Sequence, residues 1–325
     1  MKLAPVDRDA DTRTRHKWVT VVLALLVVLI AAFAIRAEFR VTSFSVVMRE
    51  VRGIPWSQLF LSLAATVACY LVLSVYDLLG LRYVKKHVPL GRSLLASFYA
   101  YAFAQMLGFS AITGGTFRLR FWSASGLSTS DVLRAATFSA VGFWVGVLSA
   151  CGMALTFEPL PPALLTYASA VLLRGFGVFF LATVALYLVV GGLRQKPWAF
   201  GRMSFEMPGP MLVSIQAVVA IAEWTFAGLA AWVLLPAAPD LSFVTFLGLF
   251  SLAQGVALAS HVPGGLGVFD TLIVLLLAPY VGASTAAASM VAYRAVYYVL
   301  PFVSACALLA VLAVVKRLAA GRSAT

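Results

Sequence analysis

The chain has 325 residues, 62% of them hydrophobic and 11% charged, where an ordinary soluble domain is about 50% apolar and about 25% charged; with a mean hydropathy of +0.98, a soluble globular protein is excluded. The net charge of +12 does not point to nucleic acid, because Lys and Arg are spread over short linkers and ends rather than gathered on one face. What remains is an all-α polytopic membrane protein: apolar runs long enough to cross about 30 Å of hydrocarbon recur along the chain, and an open sheet could not satisfy its backbone there.

In chain order, a tail at 1–17 with Arg8, Arg13, Arg15 and Lys17 precedes a first predicted span at 18–35 and is expected in the cytoplasm by the positive-inside bias. No cleavable signal peptide is predicted, since the run from Trp18 is long enough to span. The linker 36–56 carries Arg36, Arg40, Arg49 and Arg52 with Glu38 and Glu50. Its Phe44, Val47, Met48 and Val51 fall at helical spacing, which fits an amphipathic helix on the membrane surface. The next span, 57–80, returns to the basic stretch RYVKKHVPLGR. Further spans are predicted at 132–156, 170–193, 211–236 and 284–315. The linker GLRQKPWAFGR is basic and belongs inside, FEPLPP and PAAPDL lack Lys and Arg and belong outside, and Lys316, Arg317 and Arg322 place the C-terminus inside.

This charge pattern leaves 93–130 with both ends inside and 243–283 with both ends outside. Each is therefore predicted as a re-entrant helical hairpin, one from each face, giving six full spans plus two hairpins. SAITGGTF at 110–117 aligns with SHVPGGLG at 260–267 at an offset of 150, and GLST at 126–129 echoes GAST at 282–285. Each Gly-Gly also follows a lone acid in the preceding helix, Asp77 and Glu223. The expectation is an inverted repeat, 18–156 and 157–318, followed by a tail at 319–325. Interrupted helices in inverted repeats are where alternating-access transporters place a midplane site. The helices are expected to break at Gly114 and Gly115 in one hairpin and at Pro263, Gly264, Gly265 and Gly267 in the other, because Gly permits close turns and Pro ends a helix. The alternative for Gly-Gly is tight helix packing.

An ionisable side chain at the centre of a membrane helix costs about 2.5–3.5 kcal/mol on insertion scales and needs a partner, water or a function. Arg294 and Glu223 lie deep in their runs. They are either an ion pair with each other or ligand contacts, the Arg for a phosphate and the acid for an amine. Asp77 has Arg82 as a candidate partner, and Asp270 either caps the helix after PGG or adds a polar contact. Arg118 and Arg120 are topology signals or an entry site for anionic head groups. Arg174 reads as a snorkelling residue, His261 as a polar packing residue, and Cys69, Cys151 and Cys306 as small apolar residues. No metal or cofactor site is expected.

PGGLGVFD, with SVYDLLGLRYV, the IAEW glutamate and AYRAVYYVLP, resembles the lysylphosphatidylglycerol synthase/flippase transmembrane family over roughly residues 15–318. The resemblance implies lipid flipping across a bacterial inner membrane, with functional roles for Asp77, Glu223 and Arg294. The family usually has Glu where this chain has Asp270, a shorter acid with a different reach. Only nine residues follow Lys316, so lipid aminoacylation is not expected from this sequence.

The leading expectation is thus a flippase or transporter whose partners are membrane lipids with anionic or zwitterionic head groups. The alternatives are an intramembrane enzyme acting on head groups, a small-solute transporter, or a structural membrane partner; self-association is left open. No Ser/His/Asp cluster, HExxH or aspartate-rich diphosphate motif supports the enzyme, and without GxxxxGK[ST] transport is expected to be passive, ion-coupled or driven by another subunit.

Overall fold

The computed structural model describes residues 44–108, 110–160, 165–166, 168–193, 198–200, 203–205, 208–260 and 262–322. The predicted tail at 1–17, the span at 18–35 and His261 lie outside the described residues. The helices are α1 (Phe44–Gly53), α2 (Trp56–Tyr83), α3 (Leu90–Leu107), α4 (Ser110–Ser123), α5 (Thr129–Phe157), α6 (Ala170–Leu193), α7 (Pro210–Trp232), α8 (Phe243–Ala259), α9 (Val268–Val281), α10 (Ala283–Arg294) and α11 (Leu300–Arg322). Among the described residues five stretches are long and apolar enough to cross a membrane: α2, α5, α6, α7 and the continuous run Ala283–Leu312. They fall on the predicted spans at 57–80, 132–156, 170–193, 211–236 and 284–315. Among the described residues the one exception to helix lies at the basic linker, where β1 (Trp198–Phe200) pairs antiparallel with β2 (Met203–Phe205).

Local chemistry sets the ends of these helices. α5 opens on a capping box, the Ser128 hydroxyl accepting from the Asp131 N–H and the Asp131 carboxylate from the Ser128 N–H, both at 3.2 Å. Ser242 caps α8 through the Thr245 N–H at 3.1 Å, and α7 starts on Pro210. A π turn, Ala295–Val299, joins α10 to α11. Its cause is Pro301, which lacks the N–H that would bond the Tyr297 carbonyl. The Tyr70 hydroxyl of α2 donates to that carbonyl at 3.4 Å.

The two interrupted segments are folded-back helix pairs of nearly equal size. α3 and α4 have 18 and 14 residues, and α8 and α9 have 17 and 14. In the first pair Tyr99 stacks on Phe121 and Phe103 packs on Phe117, so the arms run antiparallel. Its two ends meet: Arg92, at the start of α3, donates to the Ala124 carbonyl at 3.0 Å and to the Ser125 hydroxyl at 2.7 Å, just past the end of α4. In the second pair Phe250 packs edge-on against Phe269. Left-handed glycines end both return arms, Gly126 at φ 87° and Gly282 at φ 81°.

The first break differs from the sequence expectation. Gly114 and Gly115 lie inside α4, and the chain turns instead at Gly108, with φ 72°. A helix tolerates Gly at about 1 kcal/mol relative to Ala, and SAITGGTF has no proline to force a stop. The second break is at PGG as expected: Gly264, Gly265 and Gly267 have φ of 61°, 62° and 79°. Gly108 and Gly264 are 156 residues apart, as are Gly126 and Gly282. The structural correspondence between the pairs therefore runs at that offset rather than at 150.

α2, α5 and α7 form the central packing unit, with α6 on its outer side and α8 on α5 and α7. Close approach depends on small residues. At Gly142 of α5 an added Cβ would come within 2.5 Å of the Tyr76 ring and 2.8 Å of Gln216. Polar side chains bind helix to helix: Ser62 to the Ala230 carbonyl at 2.7 Å, Gln216 to the Phe138 carbonyl at 2.8 Å and Ser289 to the Leu234 carbonyl at 2.9 Å. α1 packs on α10 through its buried Val47 and leaves Arg49, Glu50 and Arg52 exposed, the two-faced helix expected for this linker.

Candidate functional site

The buried ionisable residues among those described are Asp77, Arg118, Glu223, Asp270 and Arg294, none more than 9% exposed. They sit on five helices, α2, α4, α7, α9 and α10, so no local stretch of sequence contains the site. Burial of this kind demands partners, because an isolated charge in a low-dielectric interior costs several kcal/mol.

Arg294, the last residue of α10, meets Asp270 in a two-pronged contact. Nε donates to Oδ1 at 2.6 Å and Nη2 to Oδ2 at 2.5 Å, the fork geometry that makes Arg–carboxylate pairs strong. Arg294 Nη1 also points to the Gly264 carbonyl at 3.5 Å, and its guanidinium lies 5.4 Å from the Tyr298 ring centre. Asp270 keeps its capping role as well, accepting from the Gly267 N–H at 3.0 Å. One carboxylate thus holds the start of α9 and anchors it to α10. Of the two readings the sequence leaves open for Arg294, an ion pair with Glu223 or a ligand contact, the first does not form: its carboxylate partner is Asp270.

Asp77 belongs to a second pair. The Arg118 Nε–H lies 2.9 and 3.0 Å from its two oxygens, the Ser97 hydroxyl donates to Oδ2 at 2.7 Å, and the Ser139 hydroxyl to Oδ1 at 3.2 Å. The guanidinium stands 4.8 Å over the Tyr101 ring. Asp77 therefore joins α2, α3, α4 and α5. It does not pair with Arg82, which is exposed: five residues along a helix is a rotation of about 140°, onto a different face. Arg118, read in the sequence as a topology signal or head-group entry point, is instead a buried partner. Arg120 is exposed on α4 and takes no part.

Glu223, near the middle of α7, accepts from the Tyr76 hydroxyl at 2.8 Å. Tyr76, Ser97, Ser139 and Tyr101 are site residues that pattern reading passed over. The signal was present in part, since VYD sets Tyr76 beside Asp77 and each serine stands in an otherwise apolar run.

The two breaks touch. The Gly264 α-carbon is set so close to α3 that a Cβ there would lie 3.2 Å from the Met106 carbonyl oxygen and 3.5 Å from that of Gln105. Both carbonyls immediately precede the turn at Gly108. One end of this junction is therefore held by Arg294, through Gly264, and the other leads into α4 and Arg118. Among the described residues no group of three or more His, Cys, Asp or Glu converges as a metal site would require. Arg174 of α6 donates to the Thr156 carbonyl in the last turn of α5, a contact between neighbouring helices.

Fold and site together define a multi-pass helical membrane protein with charge pairs buried at two interrupted helix pairs. The chain belongs to the lysylphosphatidylglycerol synthase transmembrane family, whose sequence model, described as the lysylphosphatidylglycerol synthase TM region, matches residues 18–305. It is 30% identical over 274 residues to the uncharacterized protein slr0712 of Synechocystis sp., covering 84% of each chain. It is 27% identical over 262 residues to the inner membrane protein YbhN of Escherichia coli, covering 80% of this chain and 81% of that one. A phosphatidylglycerol lysyltransferase of Bacillus subtilis is 23% identical over 288 residues, which are 87% of this chain and 33% of the enzyme.

Proposed function

We propose that the protein moves a phospholipid or another amphipathic lipid between the leaflets of a bacterial inner membrane, exposing a midplane site alternately to the two sides. In this reading both termini are cytoplasmic. The α3–α4 pair enters the bilayer from the cytoplasmic face and the α8–α9 pair from the outer face, as re-entrant hairpins in two inverted repeats. The single observation that carries the reading is the contact of Gly264 with the Met106 carbonyl, a junction of two breaks flanked by the Asp270–Arg294 and Asp77–Arg118 pairs. Non-helical backbone at membrane depth is tolerated only where protein or a water-filled cavity covers it, and a junction of two such breaks is where such a cavity can open. The equal lengths of the paired arms and the tie of Arg92 to the end of α4 also support it.

The chemistry suits a lipid head group. A phosphate diester presents two oxygens to a guanidinium as a carboxylate does, so it can take the place of Asp270 on Arg294 without leaving the cation bare. An amine on the head group can take the freed carboxylate. Exchange of partners avoids the cost of an unpaired buried charge. The relatives named as phosphatidylglycerol lysyltransferases act, by that name, on a phospholipid, which agrees with a lipid-handling site in the shared membrane region.

The test is reconstitution into vesicles carrying fluorescent phosphatidylglycerol in the outer leaflet, with transport read as protection of the label from an impermeant quencher. Wild-type protein is expected to speed protection. Arg294→Lys, which keeps the charge and loses the fork, and Arg294→Ala should both slow it while eluting as folded protein in detergent. Transport at the wild-type rate in both variants would rule out a phosphate grip by Arg294.

A further inference from the structure

The buried ionisable groups do not balance. Among the described residues three buried acids face two buried guanidiniums, and both guanidiniums are taken, by Asp77 and by Asp270. Glu223 is the acid left over. Its carboxyl receives one hydrogen bond, from Tyr76.

Among the described residues the helices packed on α7 bring no cation to it. On α2, the Cys69 thiol lies 3.6 Å from the Glu223 backbone carbonyl and 3.2 Å from the Tyr297 hydroxyl of the π turn. On α6, Tyr187 is bonded to Gln216 and Arg174 donates to the Thr156 carbonyl of α5; on α5, Cys151 is bonded to the Ser251 carbonyl, and Asp131 and Arg134 stand in its first two turns. α8 carries no acidic or basic side chain. On α10, Arg294 is committed to Asp270 and Tyr293 stacks on Tyr297. Beyond these, Tyr101 of α3 lies under Arg118.

The occupant that fits is set by ligand number. A hard metal ion takes six or more oxygens, and the side-chain oxygens here are those of one carboxyl and one phenol. A proton needs one acceptor. We propose that Glu223 is a proton-binding site, and that proton binding there is coupled to lipid movement through the charge pairs. This rests on the lipid-transport reading for the coupling, but the proton site itself does not depend on it.

The step is simple in its balance. The Glu223 carboxylate takes one proton from water on the side to which the site is open, becomes a neutral carboxyl, and returns the proton to water on the other side; no electron moves. Tyr76 can donate to Oε2 in either state, so the contact survives the change. Tyr76 and Asp77 are consecutive on α2, which sets the charge on Glu223 one residue from the Arg118 pair. In the proposed coupling, an ionised Glu223 acts on this shared turn of α2 through Tyr76 and loosens the hold of Arg118 on Asp77. A protonated one leaves the pair closed.

Infrared difference spectra between acidic and alkaline buffer, recorded on the full chain in phosphatidylglycerol vesicles, test the site directly. Wild type should show a protonated-carboxyl band that disappears in Glu223→Gln and persists, displaced, in Glu223→Asp. Absence of the band in wild type, or its survival unchanged in folded Glu223→Gln, would overturn the proposal. The second arm is an imposed pH gradient in the fluorescent-lipid assay: the wild-type rate should change severalfold with the gradient and the Glu223→Gln rate should not. A wild-type rate indifferent to the gradient would overturn the coupling. Failure of wild type to move lipid at all would defeat the transport reading, with the infrared band still deciding the proton site.

Discussion

Gly264 lies against the carbonyl oxygen of Met106: a Cβ there would stand 3.2 Å away, close enough that the neighbouring backbone would have to give by a few tenths of an ångström. Its φ of 61° is also a conformation that costs an L-residue about 1–2 kcal/mol. Gly264→Ala should therefore lower stability in detergent by at least that amount, read as a fall in Tm. Gly115, at the position where the sequence suggested a break, has nothing within 4 Å and lies in a helix. Gly115→Ala should raise stability by about 0.5–1 kcal/mol. Equal effects at the two sites would contradict the observed register of the breaks.

Asp270 holds both a helix start and a guanidinium. Removing one member of a buried pair costs about 3–5 kcal/mol, whereas replacing both by apolar groups is often neutral. Asp270→Ala should unfold far more readily than wild type, and Asp270→Leu combined with Arg294→Met should recover most of the loss while abolishing transport. Denaturation midpoints in detergent, set beside the vesicle assay, separate the two effects.

Asp77 accepts from one guanidinium and two hydroxyls. A double-mutant cycle on Asp77→Asn and Arg118→Gln should give the large coupling energy of a buried pair. Ser97→Ala and Ser139→Ala should each cost only about 0.6 kcal/mol, the average for hydrogen bonds between membrane helices. Coupling no larger than that for the arginine would mean the pair is open to water in the membrane.

Arg92 ties the beginning of α3 to the end of α4, which puts Leu90 and Ala124 at one level. In a Cys306→Ser background, where the remaining Cys69 and Cys151 are buried, Leu90→Cys and Ala124→Cys should react with an impermeant thiol reagent from the same face. Asp240→Cys, which precedes the second pair, should react from the opposite face. Leu90 and Ala124 reacting from opposite faces would make α3 and α4 a full crossing and end the hairpin reading.

The sequence by itself determined that lipid is this protein's solvent, where the five described spans lie, and that two segments are interrupted. Hydropathy sums over a window of consecutive residues, and Pro263 with its following glycines punctuates the chain without help from any neighbour. It also singled out every buried charge among the described residues, because Asp, Glu and Arg stand out in an apolar run. Only the tertiary structure decided who pairs with whom. Asp77 finds Arg118 rather than Arg82, and Arg294 finds Asp270 rather than Glu223. Partner choice depends on the rotation and depth of helices distant in sequence, which neither composition nor spacing encodes. The turn at Gly108 rather than at Gly114 and Gly115 has the same origin. An isolated glycine pair costs a helix little, and the fold-back occurs where packing of α4 against α3 places it.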